Sequence, residues 1–495
     1  MSARSPWLVL AVVSSALFLI VIDMTVLYTA LPTLTRDLDA SATEKLWIVN
    51  AYSLVVAGLL PGAGALGDRF GHRRMFMIGL VIFGAASLAA GFAPSSAALI
   101  AARAGLAVGA AAMMPATLSI IRQTFEDPND RALAIGIWAA VASGGAALGP
   151  VIGGALLQHF HWGAVFLVNL PVVAVALALT VALVPTGTAH GHHPFDPLGS
   201  VQVLVGLVGL TLAIKEIAKP QPSLAVLALS ALIGALALTL FIRRLRRSAS
   251  PMIDLGLFRD SRFAGGVIGA IAAAAALLGV ELVITQRLQL VQGMSPLQAG
   301  LFILPIPLAA FVAGPLAGIL LGRVGAGRLL AASLALSGAG ILAYGAGFGK
   351  PGLELASFAV MGAGIGAAMT AASSAIMLNA PANRAGMAAS VEEVSYELGG
   401  ALGIAILGSL MAGVYSAAFA AAGGSGPQAM DSLDGALALA ATLPAPQGER
   451  LLSIANGAFD RATGAVALAA GAVLLAAGFW IGRINRADGM VQQGA

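Results

Sequence analysis

The chain contains the stretch GALGDRFGHRR at residues 64–74 and a related stretch, GILLGRVGAGR, at residues 318–328. The two share Gly, Leu, Arg, Gly and Arg at the same spacings, and each follows a long apolar segment. Related loops predict a chain made of two repeated halves, and repeated helical bundles with a site between them are typical of secondary transporters. Asp68 in the first copy corresponds to Gly322 in the second, so any contact of Asp68 must be absent or different in the second half.

The composition indicates that most of the chain lies in a membrane. Of its 495 residues, 59% are hydrophobic and only 10% are charged, and the mean hydropathy is +0.93. A soluble domain is about 25% charged. The 62 glycines suit closely packed membrane helices, where small residues let backbones approach. The chain has no cysteine, which excludes disulfides and Cys-ligated metals.

Fourteen apolar segments are long enough to cross a bilayer. They are residues 7–31, 46–66, 75–93, 97–121, 132–157, 162–184, 197–217, 223–242, 262–285, 297–321, 329–348, 352–378, 386–415 and 459–482. The first segment is too long for a signal-peptide core, so we interpret it as a retained span. The sequence therefore predicts an all-α polytopic membrane protein.

Two longer connections divide the chain. Residues 243–261 are basic and separate the halves, and residues 416–458 contain Gly/Pro turns around two short amphipathic stretches. The longer connection could be a solvated tether or a cover over a vestibule. The predicted parts are a six-helix bundle at 1–190, two additional transmembrane helices at 191–245, a cytoplasmic linker at 246–261, and a second six-helix bundle at 262–495 with an external loop at 416–458.

The distribution of basic residues predicts the orientation. An even number of spans places both termini on one side of the membrane. Of the 26 Lys and Arg residues, 17 fall on the side of the termini and 8 on the other, with Arg103 inside a span. Since basic loops stay in the cytoplasm, both termini are predicted to be cytoplasmic. The pI of about 9.7 then reflects membrane orientation, and nucleic-acid binding is not expected.

Several stretches resemble motifs of the major facilitator superfamily, and within it the fourteen-span drug:proton antiporters of the QacA/SmvA type. They are GALGDRFGHRR in a cytoplasmic loop, IDMTVLYTALP (22–32) in the first helix, RAGLAVGAA (103–111) in the fourth, the antiporter-like GGAALGPVIGG (144–154) in the fifth, and WGAVFLVNLP (162–171) and VEEVSYELGG (391–400) elsewhere. The resemblance covers nearly the whole chain, and the motifs occur in the expected order.

The resemblance implies the major facilitator fold, with two six-helix bundles and two extra central helices. It also implies a monomer in the bacterial cytoplasmic (inner) membrane that works by alternating access. The implied activity is proton-coupled efflux of lipophilic mono- and dications, namely quaternary ammonium compounds, biguanide biocides, cationic dyes and viologens. Protons would be the coupling ion, and no cofactor is expected.

The loop at 64–74 is a candidate gate. Gly71 permits a tight helix–loop–helix connection, while Arg69 and Arg73 supply positive charge. Asp68 could accept from backbone N–H groups at a nearby helix start, or pair with an arginine, and so hold the inner side shut. The alternative is a purely basic topology anchor. An anchor would not need Asp68, so we favour the gate.

The fifth span carries Gly145, Gly149 and Gly153 at four-residue spacing, with Pro150 among them. The glycines form a smooth surface for close crossing, and Pro150 removes a backbone hydrogen bond and bends the helix. We predict a hinge that seals a leak path. The alternative is ordinary membrane packing.

Three embedded charges lie in the outer half of the predicted bundle. Asp23 is past the middle of the first span, and Arg103 is near the start of the fourth, so pairing is expected. An arginine favours an ionised carboxylate whereas loss of water favours a protonated one, so opening the site could switch the proton on or off. Glu281, near the outer end of the ninth span, could bind cargo or reach the membrane interface.

The helix at 386–415 carries Glu392, Glu393 and Glu397 without a basic residue. A carboxylate near the bilayer centre costs roughly 2.5–3.5 kcal/mol on insertion scales. At 1.5 Å per residue, Glu392 and Glu393 lie about 9–11 Å from the helix start and Glu397 about 16–18 Å. These acids must face a wet cavity or be protonated, which suits proton-coupled handling of a cation. Alternatively, Glu392 and Glu393 reach the cytoplasmic interface.

These observations give two sets of candidate residues. The proton-coupling candidates are Asp23, Arg103, Glu392, Glu393 and Glu397. Methionines offer adaptable apolar walls and aromatic ring faces attract cations. The candidates for cargo binding are Glu281, Glu397, Met24, Met113, Met114 and Tyr396.

Other classes of protein fit the sequence less well. A proton-coupled transporter of a small metabolite or nutrient would share the fold, but the antiporter-like motif argues against it. An intramembrane enzyme would need an embedded nucleophile or metal, and the six histidines all lie in loops or at span edges. HGHH at 190–193 reads as a solvated loop, so no metal site is expected. Without a phosphate-binding loop, ATP is not the energy source.

Overall fold

The computed structural model describes residues 5–40, 42–186, 196–217, 222–248, 251 and 253–493. Within these ranges the chain is helical apart from short connections, and it contains no strand. By length and composition, 13 helices can cross a membrane, or up to 14 when the two arms of one bent helix count as a span. The predicted all-α membrane architecture is therefore confirmed. The HGHH stretch lies outside the described residues.

Within the described residues, the first half consists of seven helices. They are α1 (Pro6–Asp37), α2 (Ala42–Phe70), α3 (His72–Gly91), α4 (Ser96–Thr124), α5 (Pro128–His159), α6 (Ala164–Leu167) and α7 (Asn169–Leu183). The short α6 and α7 together form the sixth predicted span. Their buried side chains make most of one large apolar cluster.

Two further helices follow, α8 (Pro197–Ile217) and α9 (Leu224–Arg247). They pack on each other, α8 also packs on α2, and much of their leucine-rich surface is exposed, as expected of a surface that faces lipid. Arg244 donates to Asp196 at 2.5 Å, which ties the end of α9 to the start of α8. This hydrogen bond, opposed by partial burial, lowers the pKa of Asp196.

The second half contains nine α-helices in the part of the chain that the structure describes. They are α10 (Ser261–Gln286), α11 (Pro296–Ile303), α12 (Pro305–Val324), α13 (Ala326–Ala346), α14 (Pro351–Asn379), α15 (Ala385–Ala421), α16 (Pro427–Asp431), α17 (Leu433–Ala440) and α18 (Ala445–Gln493). A π turn at Arg287–Val291 extends α10, and α11 with α12 forms the tenth predicted span. A second large apolar cluster is mostly built from this half.

The segment predicted as an external loop at 416–458 is largely helical. Helix α15 continues to Ala421, and the second amphipathic stretch is the beginning of α18. Leu433 and Ala436 of α17 are buried, and Tyr415 donates to the carbonyl oxygen of Ala429 at 2.9 Å. The apolar residues at helical spacing thus bury themselves against α15 and α18, and the segment is not a solvated tether.

Two opposite faces of the bundle can be defined from contacts between helix ends. The ring of Trp7 packs on Phe125 with 5.0 Å between centroids, and Arg384 pairs with Asp254 at 3.3 Å. The starts of α1, α10 and α15 and the ends of α4 and α14 therefore share a face, which we call the terminal face. The opposite face, which carries α16 and α17, is called the distal face.

Candidate functional site

A buried ion pair joins α1 to α4. Arg103 Nη1 donates to Asp23 Oδ2 at 2.5 Å, as the sequence led us to expect. Asn169 of α7 donates to Asp23 Oδ1 at 3.1 Å and to Ser87 Oγ of α3 at 3.1 Å. Both carboxylate oxygens thus have donors, and four helices of the first half hold Asp23 in place. Sequence reasoning missed Asn169, although an asparagine within an apolar span was a visible signal.

Tyr52 of α2 completes this network, and sequence reasoning missed it as well. The Arg103 guanidinium lies over the Tyr52 ring, 4.6 Å from its centroid, a distance typical of a cation–π contact. Arg103 Nε also donates to the carbonyl oxygen of Ile48, one turn earlier, at 3.4 Å. The Tyr52 hydroxyl is buried and has no hydrogen-bond partner among the described residues.

The carboxylates of α15 form a second polar group. Glu392 and Glu393 are 0% and 4% exposed, so they do not reach the membrane interface. Both oxygens of Glu392 and one of Glu393 have no hydrogen-bond partner among the described residues, and the Ser373 hydroxyl of α14 lies beside Glu392. Tyr396, which is next to both acids, donates to the carbonyl oxygen of Met369 at 3.4 Å.

Glu393 and Glu397 lie on the side of α15 that faces α2. At the terminal face, Gly386 of α15 is packed against Gly64 of α2 so closely that no Cβ would fit. Glu393 and Glu397 follow Gly386 by 7 and 11 residues, a spacing that returns to the same helix face. The Tyr52 hydroxyl interacts electrostatically with both carboxylates. Tyr52 is thus the place where the two polar groups meet.

The predicted methionines occupy different environments. Met24 and Met114 are partly buried against the apolar cluster of the first half. Met113 is buried between α4 and α3, where it packs on Gly79. Two of the three methionines therefore keep some accessible surface, and Met113 serves helix packing.

Glu281 stands apart from the other carboxylates. It is partly exposed on α10 and makes no hydrogen bond or ion pair that the described part of the chain shows. Since Ile271 of α10 lies against Gly399 of α15, Glu281 is ten residues, or about 15 Å, farther toward the distal face than Gly399, and about 18 Å farther than Glu397.

The loop at 64–74 joins the two halves at the terminal face. Asp68 accepts from the backbone N–H groups of Gly386 at 2.8 Å and Met387 at 3.0 Å. These are orphan donors at the start of α15, where the helix dipole also favours an anion. His72 Nε2 lies 3.3 Å from the same carboxylate, and Gly71 begins α3 with a φ of 92°, which favours glycine.

Arg122 makes a second polar contact between the halves, which sequence reasoning also missed. Its Nη2 donates to the carbonyl oxygen of Ala380 at 2.6 Å, where α14 ends. An anion therefore meets the start of α15 and a cation meets the end of α14, both matching the helix dipoles. Arg73 donates to the carbonyl oxygen of Val181 at 2.9 Å within the first half, and Arg69 lies 5.2 Å from the ring of the next residue.

The second copy of the repeat makes a different contact. Gly322 lies against the side chain of Asn129 at the start of α5. That helix start is capped by its own Asp127, which accepts from the N–H groups of Asn129 at 2.8 Å and Asp130 at 3.1 Å. The charged contact between halves therefore has no counterpart at this repeat, as the glycine at this position predicted.

The glycines of α5 bring that helix close to α1. A Cβ at Gly145 would lie 3.2 Å from Val21, and one at Gly149 would overlap Thr25 Oγ1. Gly153 is buried on the same helix. The predicted smooth surface is thus used against α1.

Helix α5 bends as the proline predicted. The arms Pro128–Ala146 and Val151–His159 are inclined by 42°, and Pro150 lies in the short stretch that joins them. Proline removes a backbone hydrogen bond, which accounts for a bend at this point.

A second buried ion cluster lies at the distal end of the other half. Arg287 pairs with Glu354 at 3.2 Å and with Asp460 at 2.7 Å, and its guanidinium is 4.4 Å from the Phe348 ring centroid. These charges come from α10, α14 and α18, the first, fourth and last spans of this half. The first, fourth and last spans of the first half carry Asp23, Arg103 and Asn169. There the acid comes before the arginine, whereas in the second half the arginine comes before the acids.

Metal binding finds no support in the described ranges. No group of three or more His, Asp or Glu side chains there is placed to hold an ion. The site is therefore built from carboxylates, arginine, amide and hydroxyl groups.

The molecule thus has two packed sets of membrane-crossing helices with buried acids between them. At the terminal face, Asp68 and the start of α15 form a polar contact that we call the latch. These features define a membrane transporter. The model of the Major Facilitator Superfamily matches residues 13–303, and the chain belongs to this superfamily. It is therefore a multi-pass transporter and not an enzyme.

Similar proteins sharpen this assignment. The chain is 41% identical to the methyl viologen resistance protein SmvA of Salmonella typhimurium over 92% of this chain and 93% of that protein. It is 40% identical to the multidrug efflux pump LfrA of Mycolicibacterium smegmatis, over 93% of each chain. The solved human organic anion transporter MFSD10 (TETRAN) has a TM-score of 0.63 at 15% identity, covering 95% of this chain and 99% of its own, which supports the fold alone.

Proposed function

We propose that this chain is a proton-coupled multidrug antiporter that exports lipophilic mono- and dications from bacterial cells. Expected cargoes are quaternary ammonium compounds, biguanide biocides, cationic dyes and viologens. The observation that carries the proposal is the pair of buried carboxylates, Glu392 and Glu393, whose oxygens largely lack hydrogen-bond partners in the described structure. Uncompensated acids inside a membrane protein call for a proton or a cation.

The relatives support the same cargo class. SmvA is named for resistance to methyl viologen, a dication, and LfrA for multidrug efflux. A proton-coupled transporter of a small metabolite on the same fold is the alternative. The acids of α15 are not accompanied by an arginine on the same helix. This favours a cationic cargo over an anionic or neutral nutrient. We further propose a monomer that needs no cofactor and no nucleic-acid partner.

Alternating access follows from the latch and the acids. By the distribution of basic residues, the terminal face is cytoplasmic, and both termini lie on the cytoplasmic side of the membrane. When Asp68 releases α15, cytoplasmic cargo reaches Glu393 and Glu397 in their ionised form. After the two halves tilt so that the site opens to the outside, protons from outside compete for the same carboxylate oxygens and displace the cargo. The free energy available for transport is about 2.3 kcal/mol per charge for each 100 mV of membrane potential, and about 1.4 kcal/mol per proton for each pH unit of gradient.

Transport by purified protein in proteoliposomes tests this function. Ethidium and methyl viologen would be offered with and without an imposed pH gradient, and counterflow would separate export from import. We expect gradient-driven transport in the wild type and its loss in Glu397→Gln and Asp23→Asn, with normal folding. Glu449→Gln, which changes an exposed carboxylate, is the matched control. Normal transport in both site variants would refute their assigned role.

A further inference from the structure

The Tyr52 hydroxyl is the polar group that the mechanism above leaves unused. Its side chain is 1% exposed, and the hydroxyl has no hydrogen-bond partner within the described ranges. A buried hydroxyl without a partner is unfavourable, so a group of this kind in a native interior calls for an explanation.

Charged groups from three helices surround Tyr52. Arg103 of α4 covers its ring, and Asp23 of α1, the partner of Arg103, interacts with its hydroxyl. Glu393 and Glu397 of α15 act on the hydroxyl from the other half of the molecule.

Helix geometry places Tyr52 at the level of the α15 acids. From the contact of Gly64 with Gly386, Tyr52 is 12 residues along α2 and Glu397 is 11 residues along α15. At 1.5 Å per residue these are about 18 Å and 16.5 Å toward the distal face. Tyr52 therefore stands between the ion pair of one half and the carboxylates of the other.

We propose that Tyr52 is a positioning residue that couples Asp23 and Arg103 to the carboxylates of α15, an inference that rests on the proposed function. Its ring face holds the Arg103 guanidinium, and its hydroxyl donates to an ionised Glu393 or Glu397 when the halves approach. A cation or proton that neutralises the acid removes the acceptor. The ring is then free to shift together with Arg103, which weakens the hold on Asp23. Tyr52 keeps its own proton throughout.

Tyr52→Phe separates this role from packing, because it keeps the ring and removes only the hydroxyl. We expect ethidium affinity within about twofold of the wild type, while protons released per bound ethidium fall by at least half and gradient-driven transport falls at least tenfold. Tyr52→Leu, which also removes the ring over Arg103, should lose affinity and coupling together. Tyr344→Phe is the matched control, since its hydroxyl is also buried beside a paired arginine, Arg287.

The possible outcomes are distinct. Full coupling in folded Tyr52→Phe protein would overturn the proposal, and so would equal losses in the Tyr344→Phe control. If Tyr52→Phe does not fold, a coupled Tyr52→Leu protein overturns the proposal and an uncoupled one upholds it. A wild type that releases no proton and ignores the gradient would instead refute the proposed function itself.

Discussion

Neutralising Asp68 should weaken its hydrogen bonds to the start of α15 and so make the terminal face open more often. Its carboxylate holds two N–H groups at the start of α15, at 2.8 and 3.0 Å, and these bonds join the two halves. Asp68→Asn keeps one acceptor oxygen but loses the charge and turns an amide group toward the other N–H. The substitution should therefore favour the state in which this face is open.

The size of the effect follows from the bonds. A hydrogen bond to a charged group contributes about 1.5–3 kcal/mol, and a charge at a helix terminus about 0.3–1 kcal/mol. Losing one such bond and the charge should shift the equilibrium by about 2–4 kcal/mol, or roughly 30- to 700-fold.

Thiol labelling of one introduced cysteine can measure this shift. No native thiol competes for the reagent, because the chain has no cysteine. Ser390→Cys places one thiol at a residue that is 1% exposed beside the latch. In nanodiscs, its rate of reaction with a maleimide should rise by roughly the same factor in Asp68→Asn. Asp127→Asn is the matched control, since it neutralises an aspartate cap that acts only within its own helix. Equal labelling with and without Asp68 would refute the latch.

Two further substitutions test the packing of the halves. Glu354→Gln removes one of the two carboxylates paired with Arg287 and should destabilise the protein by about 1.5–3 kcal/mol, seen as a lower midpoint of thermal unfolding in detergent; an unchanged midpoint would contradict this. Gly149→Ala forces a methyl group onto Thr25 and should cost about 1–3 kcal/mol and slow turnover. Gly154→Ala, which meets no atom within 4 Å, should be neutral, and equal effects of the two would argue against close crossing.

The spans were predictable because each depends on a local property. Apolar length alone located the 13 spanning helices of the described residues and the bent α5, and the repeat of the 64–74 loop predicted related halves. The bend of α5 followed from Pro150, and the asymmetric latch followed from Gly322. The local pattern left the segment after α15 open between a tether and a cover, and only the structure shows that the apolar residues around Leu433 pack on neighbouring helices.

The rest of the site depends on contacts that are distant in the chain. The embedded charges of Asp23 and Arg103 could be expected to pair, since both are costly alone in a membrane. Nothing local shows that Asn169 would supply the second donor, that Tyr52 would lie under the guanidinium, or that Arg122 would reach the end of α14. A tyrosine or an arginine at a span edge has many uses, and only the packing of helices selects one.

The competition between protons and cargo is tested most directly by the pH dependence of cation binding to purified protein. We expect ethidium affinity to rise with pH, by up to about tenfold per pH unit for each proton displaced, with matching proton release. In a Glu393→Gln, Glu397→Gln double variant, both the pH dependence and the proton release should be lost. Wild-type affinity that does not change with pH, with no proton released on binding, would contradict the shared use of these carboxylates.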